Sequence, residues 1–218
     1  MSNKINDPES VEENQYIVRS AEELGKLYGA PHERSVLKVR DSLDEYSRRF
    51  IEAAPFAILA TSDRAGNLDC SPRGDLAGFV RVRDETTLLI PDRRGNNRTD
   101  SLKNILENPQ VALLFFVPNV GETFRVNGAA QISIQPDLLA EFAVKGKQPK
   151  TVLIIRVREA FVHCSRALVR CELWKPEKHS RTPDVPTMGE ILAAHTDGEI
   201  NAEEYDRELP ERVKQTLY

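Results

Sequence analysis

Between residues 56 and 162 the chain is a succession of short apolar runs separated by turn-forming residues, and that pattern limits the folds open to it. Residues 56–61 are almost continuously apolar, as expected of a buried strand. Asp63-Arg64-Ala65-Gly66-Asn67 forms a turn from which residues 68–71 return as a hairpin partner. Residues 78–82 and 87–90 repeat the scheme around Asp84-Glu85. Residues 110–117 are the most apolar strand, and residues 123–134 form a long, mostly alternating one after the turn at 118–121. Residues 151–162 add another. At least six strands, mostly hairpin-linked, predict a mainly β fold: an antiparallel β-barrel with flanking helices rather than a parallel sheet.

Helical signals lie mostly outside this region. Residues 1–18 show no periodicity. Ser20-Ala21-Glu22-Glu23 has capping-box spacing for a helix ending at Gly29, and Gly29-Ala30-Pro31 is a break. Ser42-Leu43-Asp44-Glu45 opens a second helix with Leu43, Tyr46, Phe50 and Ile51 on its apolar face, ended by Pro55. Pro136-Asp137 starts a short helix expected over residues 138–144, and a helix or turn is expected over residues 164–171. Trp174-Lys175-Pro176 closes the strand-rich body, residues 175–186 read as a linker, and Thr187-Met188-Gly189-Glu190 begins one more helix in a polar tail. The expected organisation is an N-terminal arm and short helix (1–41), a strand-rich domain (42–175), and a C-terminal linker and helical tail (176–218).

Composition excludes several classes. A net charge of −4 leaves no basic excess for nucleic acid. No apolar run approaches the ~18 residues that span a membrane, and from the polar, acidic start no secretory signal is expected. Cys70, Cys164 and Cys171 form no even framework and no Cys-x-x-Cys pair, so a reducing cytoplasm is expected. His32, His163, His179 and His195 show no metal-ligand spacing, and no metal site is expected. No Gly-x-Ser-x-Gly is present, and Cys70 has no adjacent histidine. Hence no catalytic side chain is nominated. The glycine fingerprints of parallel-sheet nucleotide folds are also missing.

One stretch does carry chemistry. The strand at 87–90 is expected to stop at Pro91, which has no amide for a ladder. Asp92-Arg93-Arg94-Gly95-Asn96-Asn97-Arg98 follows, and Thr99 or Asp100 then caps a helix with Leu102, Ile105 and Leu106 on one face. Helix N-termini offer unpaired N–H groups, arginine offers a bidentate fork, and glycine and asparagine tolerate left-handed backbone. The stretch reads as an anion-binding loop, with a solvated turn as the plainer alternative. Cys70-Ser71-Pro72-Arg73-Gly74-Asp75 is a second candidate, where a proline-flanked strand edge leaves backbone free for a ligand. A simple bulge with Arg73 paired to Asp69 or Asp75 accounts for it equally well.

The ordered set of Phe50-Ile51, the strand at 56–62, Ser71-Pro72-Arg73-Gly74, the Gly95-Asn96-Asn97-Arg98 loop, Leu102, Asn104, Asn108-Pro109, the strand at 111–116 and Arg125-Val126-Asn127-Gly128 resembles the pyridoxamine 5′-phosphate oxidase-like flavoproteins. That resemblance implies a split β-barrel homodimer with FMN at the subunit interface. On it, Asn96, Asn97, Arg98 and Ser101 lie at the FMN phosphate, Pro91 also belongs to the cofactor site, and Ser71, Arg73 and Gly74 meet the flavin edge. Thr123, Arg125 and Asn127 approach from the long strand, from the same or the partner subunit. The implied activity is hydride transfer through flavin N5 between NAD(P)H or a small organic donor and an acceptor. The alternative is a flavin-, heme- or deazaflavin-binding module with a stress or sensing role. Two departures speak against vitamin B6 oxidation: Arg98 is followed by Thr99 where the oxidase has an Arg-Lys pair, and its C-terminal Arg-x-His element is missing.

Overall fold

The computed structural model describes residues 16–178 and 185–218. His179 and most of the expected linker lie outside those residues. The chain divides into two compact units, Met1–Lys38 and Val39–Tyr218. In the first, α1 (Ala21–Tyr28) starts at Ser20, whose hydroxyl accepts from the Glu23 amide at 3.1 Å, and ends at Gly29 with φ 70°. The Glu23 carboxylate reaches back to the Arg19 amide rather than to Ser20. After the break comes a five-residue helix, α2 (Glu33–Leu37), which no periodicity announces.

The second unit opens with α3 (Glu45–Ala53), capped by Asp44 rather than Ser42. Leu43 is buried ahead of the helix and Ile51 within it, but Tyr46 points to solvent, 76% exposed. There follow β1 (Phe56–Ser62), β2 (Leu68–Gly74), β3 (Arg81–Asp84), β4 (Thr87–Asp92), α4 (Asp100–Glu107), β5 (Gln110–Phe116), β6 (Thr123–Ser133), α5 (Pro136–Glu141), β7 (Thr151–His163) and α6 (Arg166–Arg170). The chain ends in α7 (Met188–His195) and α8 (Ala202–Thr216). The helix expected to be started by Pro136-Asp137 begins at Pro136, whose fixed φ suits a first helical turn, and ends at Glu141 rather than at residue 144.

All seven strands form one antiparallel sheet in the order β2-β1-β5-β6-β7-β4-β3. Among the described residues β2 and β3 are not paired to each other, so the ladder is open. Strand alternation gives the sheet two different faces. One carries Ala57, Leu59, Leu113, Phe115 and Val126, packed with Ile51 and Ile105 into the main core. The other carries Ile58, Ala60, Leu114, Phe116 and Arg125 and is only half-buried, although the apolar run in β1 suggests burial on both sides.

Two local features shape this sheet. Pro91 does not end β4; it pairs with Val152, and the strand runs on to Asp92. The Val157 amide donates to the Thr86 carbonyl, so hydrogen-bonded pairs alternate from there and Pro91 falls on a non-bonded position facing away from β7. Pairing with β3 reaches no further than Leu89, so the missing donor breaks no ladder bond. On β6 a register shift sits at Asn127/Gly128, where a Cβ on Gly128 would lie 2.3 Å from the Arg156 carbonyl oxygen. Only glycine permits this approach.

In the tail, α7 has the reciprocal Thr187–Glu190 capping box. Gly189 lets α7 meet α8, its amide donating to Asp206 Oδ1 at 2.8 Å. Neither the polar composition nor Pro210 within the helix foretells the length of α8. Trp174 anchors the end of the strand-rich body by donating from Nε1 to the Val120 carbonyl at 2.7 Å.

Candidate functional site

Helix α4 places the basic loop. Ile105 buries into the core, while the Asn104 and Asn108 amides donate to Thr61 Oγ1 and Ser62 Oγ at 3.0 and 2.9 Å. These contacts pin α4 across the end of β1. Leu106 stays outside, 76% exposed, and Leu102 is only partly buried. At the start of α4, Thr99 adopts a left-handed conformation (φ 59°) and its hydroxyl turns back to the Arg98 carbonyl, leaving the helix N-terminus without a side-chain cap. Asn97 is also left-handed (φ 61°), whereas Gly95 is not. The loop is therefore shaped by Asn97 and Thr99, with the first amides of α4 open to an acceptor.

Facing this helix start, the period of two along β2 turns Asp69, Ser71 and Arg73 to one side. They meet Ser101 in a continuous network. Ser101 Oγ donates to Asp69 Oδ2 at 2.5 Å and accepts from Arg73 Nη2 at 2.8 Å, with Ser71 Oγ 3.1 Å away. Arg73 Nη1 donates to Asp92 Oδ1 at 2.8 Å. Its Nε is buried without a hydrogen-bond partner, and so is Thr151 Oγ1 at the start of β7.

Both residues line a cavity of about 1000 Å³ together with the basic loop, the segment 147–150 and Tyr218. Its walls are cationic. Arg98 pairs with Asp100 at 2.8 Å, which holds the Asp100 carboxyl below its ordinary value. Lys150 Nζ donates to Asn97 Oδ1 at 3.3 Å, and neither Lys150 nor Arg94 has a carboxylate partner among the described residues. Arg93 serves the scaffold instead: its Nε donates to Asp75 Oδ2 and its Nη1 to the Phe142 carbonyl, both at 2.7 Å. Burial pushes the Asp75 carboxyl up, but hydrogen bonds from the Tyr218 hydroxyl and Leu76 amide, with the Arg93 guanidinium, outweigh it and hold the group low.

Of the residues expected at a cofactor, Ser71, Arg73, Asn96, Asn97, Arg98 and Ser101 come together around this cavity. Pro91 is buried within β4 nearby. Gly74, Thr123, Arg125 and Asn127 do not join them. By register they lie on the half-buried face of the sheet, one residue out of step with Ser71 and Arg73. There Arg125 and Asn127 share Glu159, at 3.2 and 2.8 Å, and Arg125 stacks 4.8 Å from the Phe161 ring. Thr123 borders a smaller cavity of about 480 Å³ with His163 and Arg166. Sequence reasoning did not nominate Asp69, Lys150, Thr151 or Tyr218. The alternation of β2 carries the signal for Asp69; the other three reach the cavity only through tertiary contacts.

The sequence profile of the pyridoxamine 5′-phosphate oxidase family matches residues 43–164, more than half of the chain. The chain belongs to this family. No curated protein sequence matches it. Among solved structures, HupZ of Group A Streptococcus is 21% identical over 56% of this family member and 95% of its own chain, with a TM-score of 0.47. General Stress Protein 26 of Bacillus anthracis is 16% identical, covering 53% and 87%, with a TM-score of 0.39. A pyridoxamine 5′-phosphate oxidase-related, FMN-binding protein of Nostoc punctiforme is 15% identical, covering 55% and 78%, with a TM-score of 0.40. The match ends at residue 164, so α7, α8 and Tyr218 lie beyond the part shared with the oxidase profile. No helix among the described residues is long and apolar enough to cross a membrane.

Proposed function

We propose that this oxidase-family member is an FMN-binding oxidoreductase that works as a homodimer, its curled sheet acting as a split β-barrel. The observation that carries the reading is the pair of buried, partnerless donors, Arg73 Nε and Thr151 Oγ1, in a cationic cavity beside an uncapped helix start. A buried donor without a partner is costly, and a ligand rich in acceptors removes the cost. A phosphate ester fits the amides of α4 with Asn97, Arg98 and Lys150, and the polar edge of a flavin fits Arg73.

When bound, FMN supplies a hydride acceptor and donor at N5, between a donor such as NAD(P)H and an organic acceptor. The chain's own contribution is binding and electrostatics. Asp92, Ser71 and Ser101 fix the Arg73 guanidinium so that its positive charge favours the anionic reduced form. The half-buried face supports the dimer. Phe56, Ile58, Leu114 and Phe116 form an apolar patch across neighbouring strands, and a second copy covering it would carry its own Thr123, Arg125 and Asn127 toward the interface.

Titration of the purified protein with FMN, followed by flavin fluorescence and light scattering, tests the reading. Quenching at a stoichiometry of one FMN per chain in a dimer is expected, followed by anaerobic bleaching with NADH or NADPH. Failure to bind FMN overturns it, whereas binding without bleaching leaves a cofactor-holding module.

A further inference from the structure

After α8 the chain returns to the basic cavity through Tyr218, and the manner of its docking is unusual for a tail. The Tyr218 hydroxyl donates to Asp75 Oδ1 at 2.7 Å. Its backbone oxygen accepts from Lys147 Nζ at 2.8 Å. Its ring lies 5.6 Å from Lys145 Nζ and 6.0 Å from the Arg93 guanidinium carbon. A segment held by apolar burial would bury Leu217, which is instead 57% exposed. What holds it is polar and cationic, and two of its partners, Arg93 and Lys147, line the cavity beside it.

These partners come from two different walls. Asp75 and Arg93 form one, joined to each other at 2.7 Å; Arg93 opens the basic loop that leads to α4. Lys145 and Lys147 belong to the segment before β7, which continues to Lys150 and the partnerless Thr151. Tyr218 bridges the two and itself lines the cavity.

We propose that Tyr218 is a ligand-positioning clamp: it fastens the basic loop to the segment 145–150, so that together they enclose a phosphate monoester. Undocking of this one residue opens the cavity for exchange. The identity of the ester as FMN rests on the function proposed above; the clamp itself does not. A clamp acts on escape rather than on encounter, so its signature is a faster dissociation with little change in association.

Stopped-flow exchange of FMN from wild type, Tyr218→Phe, Tyr218→Ala and Lys147→Met tests this. Tyr218→Ala is expected to release FMN about tenfold faster, with association changed less than about twofold. Tyr218→Phe keeps the ring and loses only the Asp75 hydrogen bond, and is expected to fall between, as is Lys147→Met. The ligand-free melting temperature of each variant reports folding separately. An unchanged dissociation rate in Tyr218→Ala overturns the clamp, as does faster release explained by a collapsed melting temperature with no effect in Tyr218→Phe or Lys147→Met. If wild type takes up no FMN, the flavin reading falls, and the same variants are titrated with inorganic phosphate. The clamp then predicts weaker binding in Tyr218→Ala; equal affinity, or no phosphate binding by wild type, overturns it.

Discussion

Arg73 Nη1 and Asp92 Oδ1 meet at 2.8 Å although their strands, β2 and β4, stand first and sixth in the order of the sheet. The sheet must therefore curl until its β2 edge faces β4, with the cavity between them. A side-chain ion pair thus spans the gap that the backbone ladder leaves open.

Arg73 holds this gap and carries the charge beside the proposed flavin, so its removal has two consequences. Arg73→Ala takes from Asp92 its guanidinium partner and from Ser101 a donor, and is expected to cost about 1–3 kcal/mol in urea denaturation. In the flavin-loaded protein the midpoint potential should move to more negative values. Arg73→Lys keeps the charge without the fork, so it should preserve the potential better than the stability.

Arg98 and Arg93 have different roles despite lying in one loop. The Arg98 side chain is 75% exposed and, among the described residues, bonds only to its neighbour Asp100, while Arg93 ties Asp75 to the Phe142 carbonyl. Arg98→Ala is expected to weaken FMN binding by about 10- to 100-fold with an unchanged melting temperature. Arg93→Ala is expected to lower the melting temperature first. Equal effects on affinity at equal stability would contradict the assignment.

Gly128 lets β6 pass the Arg156 carbonyl. Because the obstacle is backbone, Gly128→Ala cannot be relieved by a rotamer change and should destabilise by about 1–3 kcal/mol. Thermal unfolding of the variant measures it.

The apolar face predicts an oligomer. Ile58→Glu places a charge in the middle of the half-buried patch. It should convert the proposed dimer to a monomer in light scattering and abolish FMN retention. A monomer that still held FMN would contradict the interface.

The Tyr218–Asp75 contact has a defined pH window. Asp75 titrates below its ordinary value, so its contribution is complete above about pH 3.9 and is lost as pH falls through the lower folded value. The hydrogen bond to Asp75 raises the Tyr218 phenol, so that contribution is complete below about pH 10 and is lost as pH rises through the higher folded value. The difference between wild-type and Tyr218→Phe absorbance at 295 nm isolates this phenol, whose midpoint should lie above that of free tyrosine.

Legibility followed locality. Hairpins such as the one turning at Asp63 and Asn67, where the Asn67 amide donates to Asp63 Oδ1 at 2.8 Å, were readable because turn and strands are adjacent in sequence. The basic loop was readable because strand, loop and helix are consecutive. Which face a residue takes was not. Thr123, Arg125 and Asn127 look like natural partners of Ser71 and Arg73, but register, set by pairing through β1 and β5, turns them the other way. Tyr218 and Asp75 lie 143 positions apart, and no local pattern links them. Leu106 and Tyr46 fit a helical stripe yet face solvent, because each helix is only about two turns long and buries a narrow strip.

Pro91 has a further bearing on the cavity. It is buried, and its ring nitrogen faces the flank of β4 that β3 has already left. Any other residue would put an N–H there, either stranded away from water or inviting a stretch of chain to pair with it. Proline keeps that flank silent, so the strand can run to Asp92 and deliver its carboxylate to Arg73 without recruiting a further pairing partner.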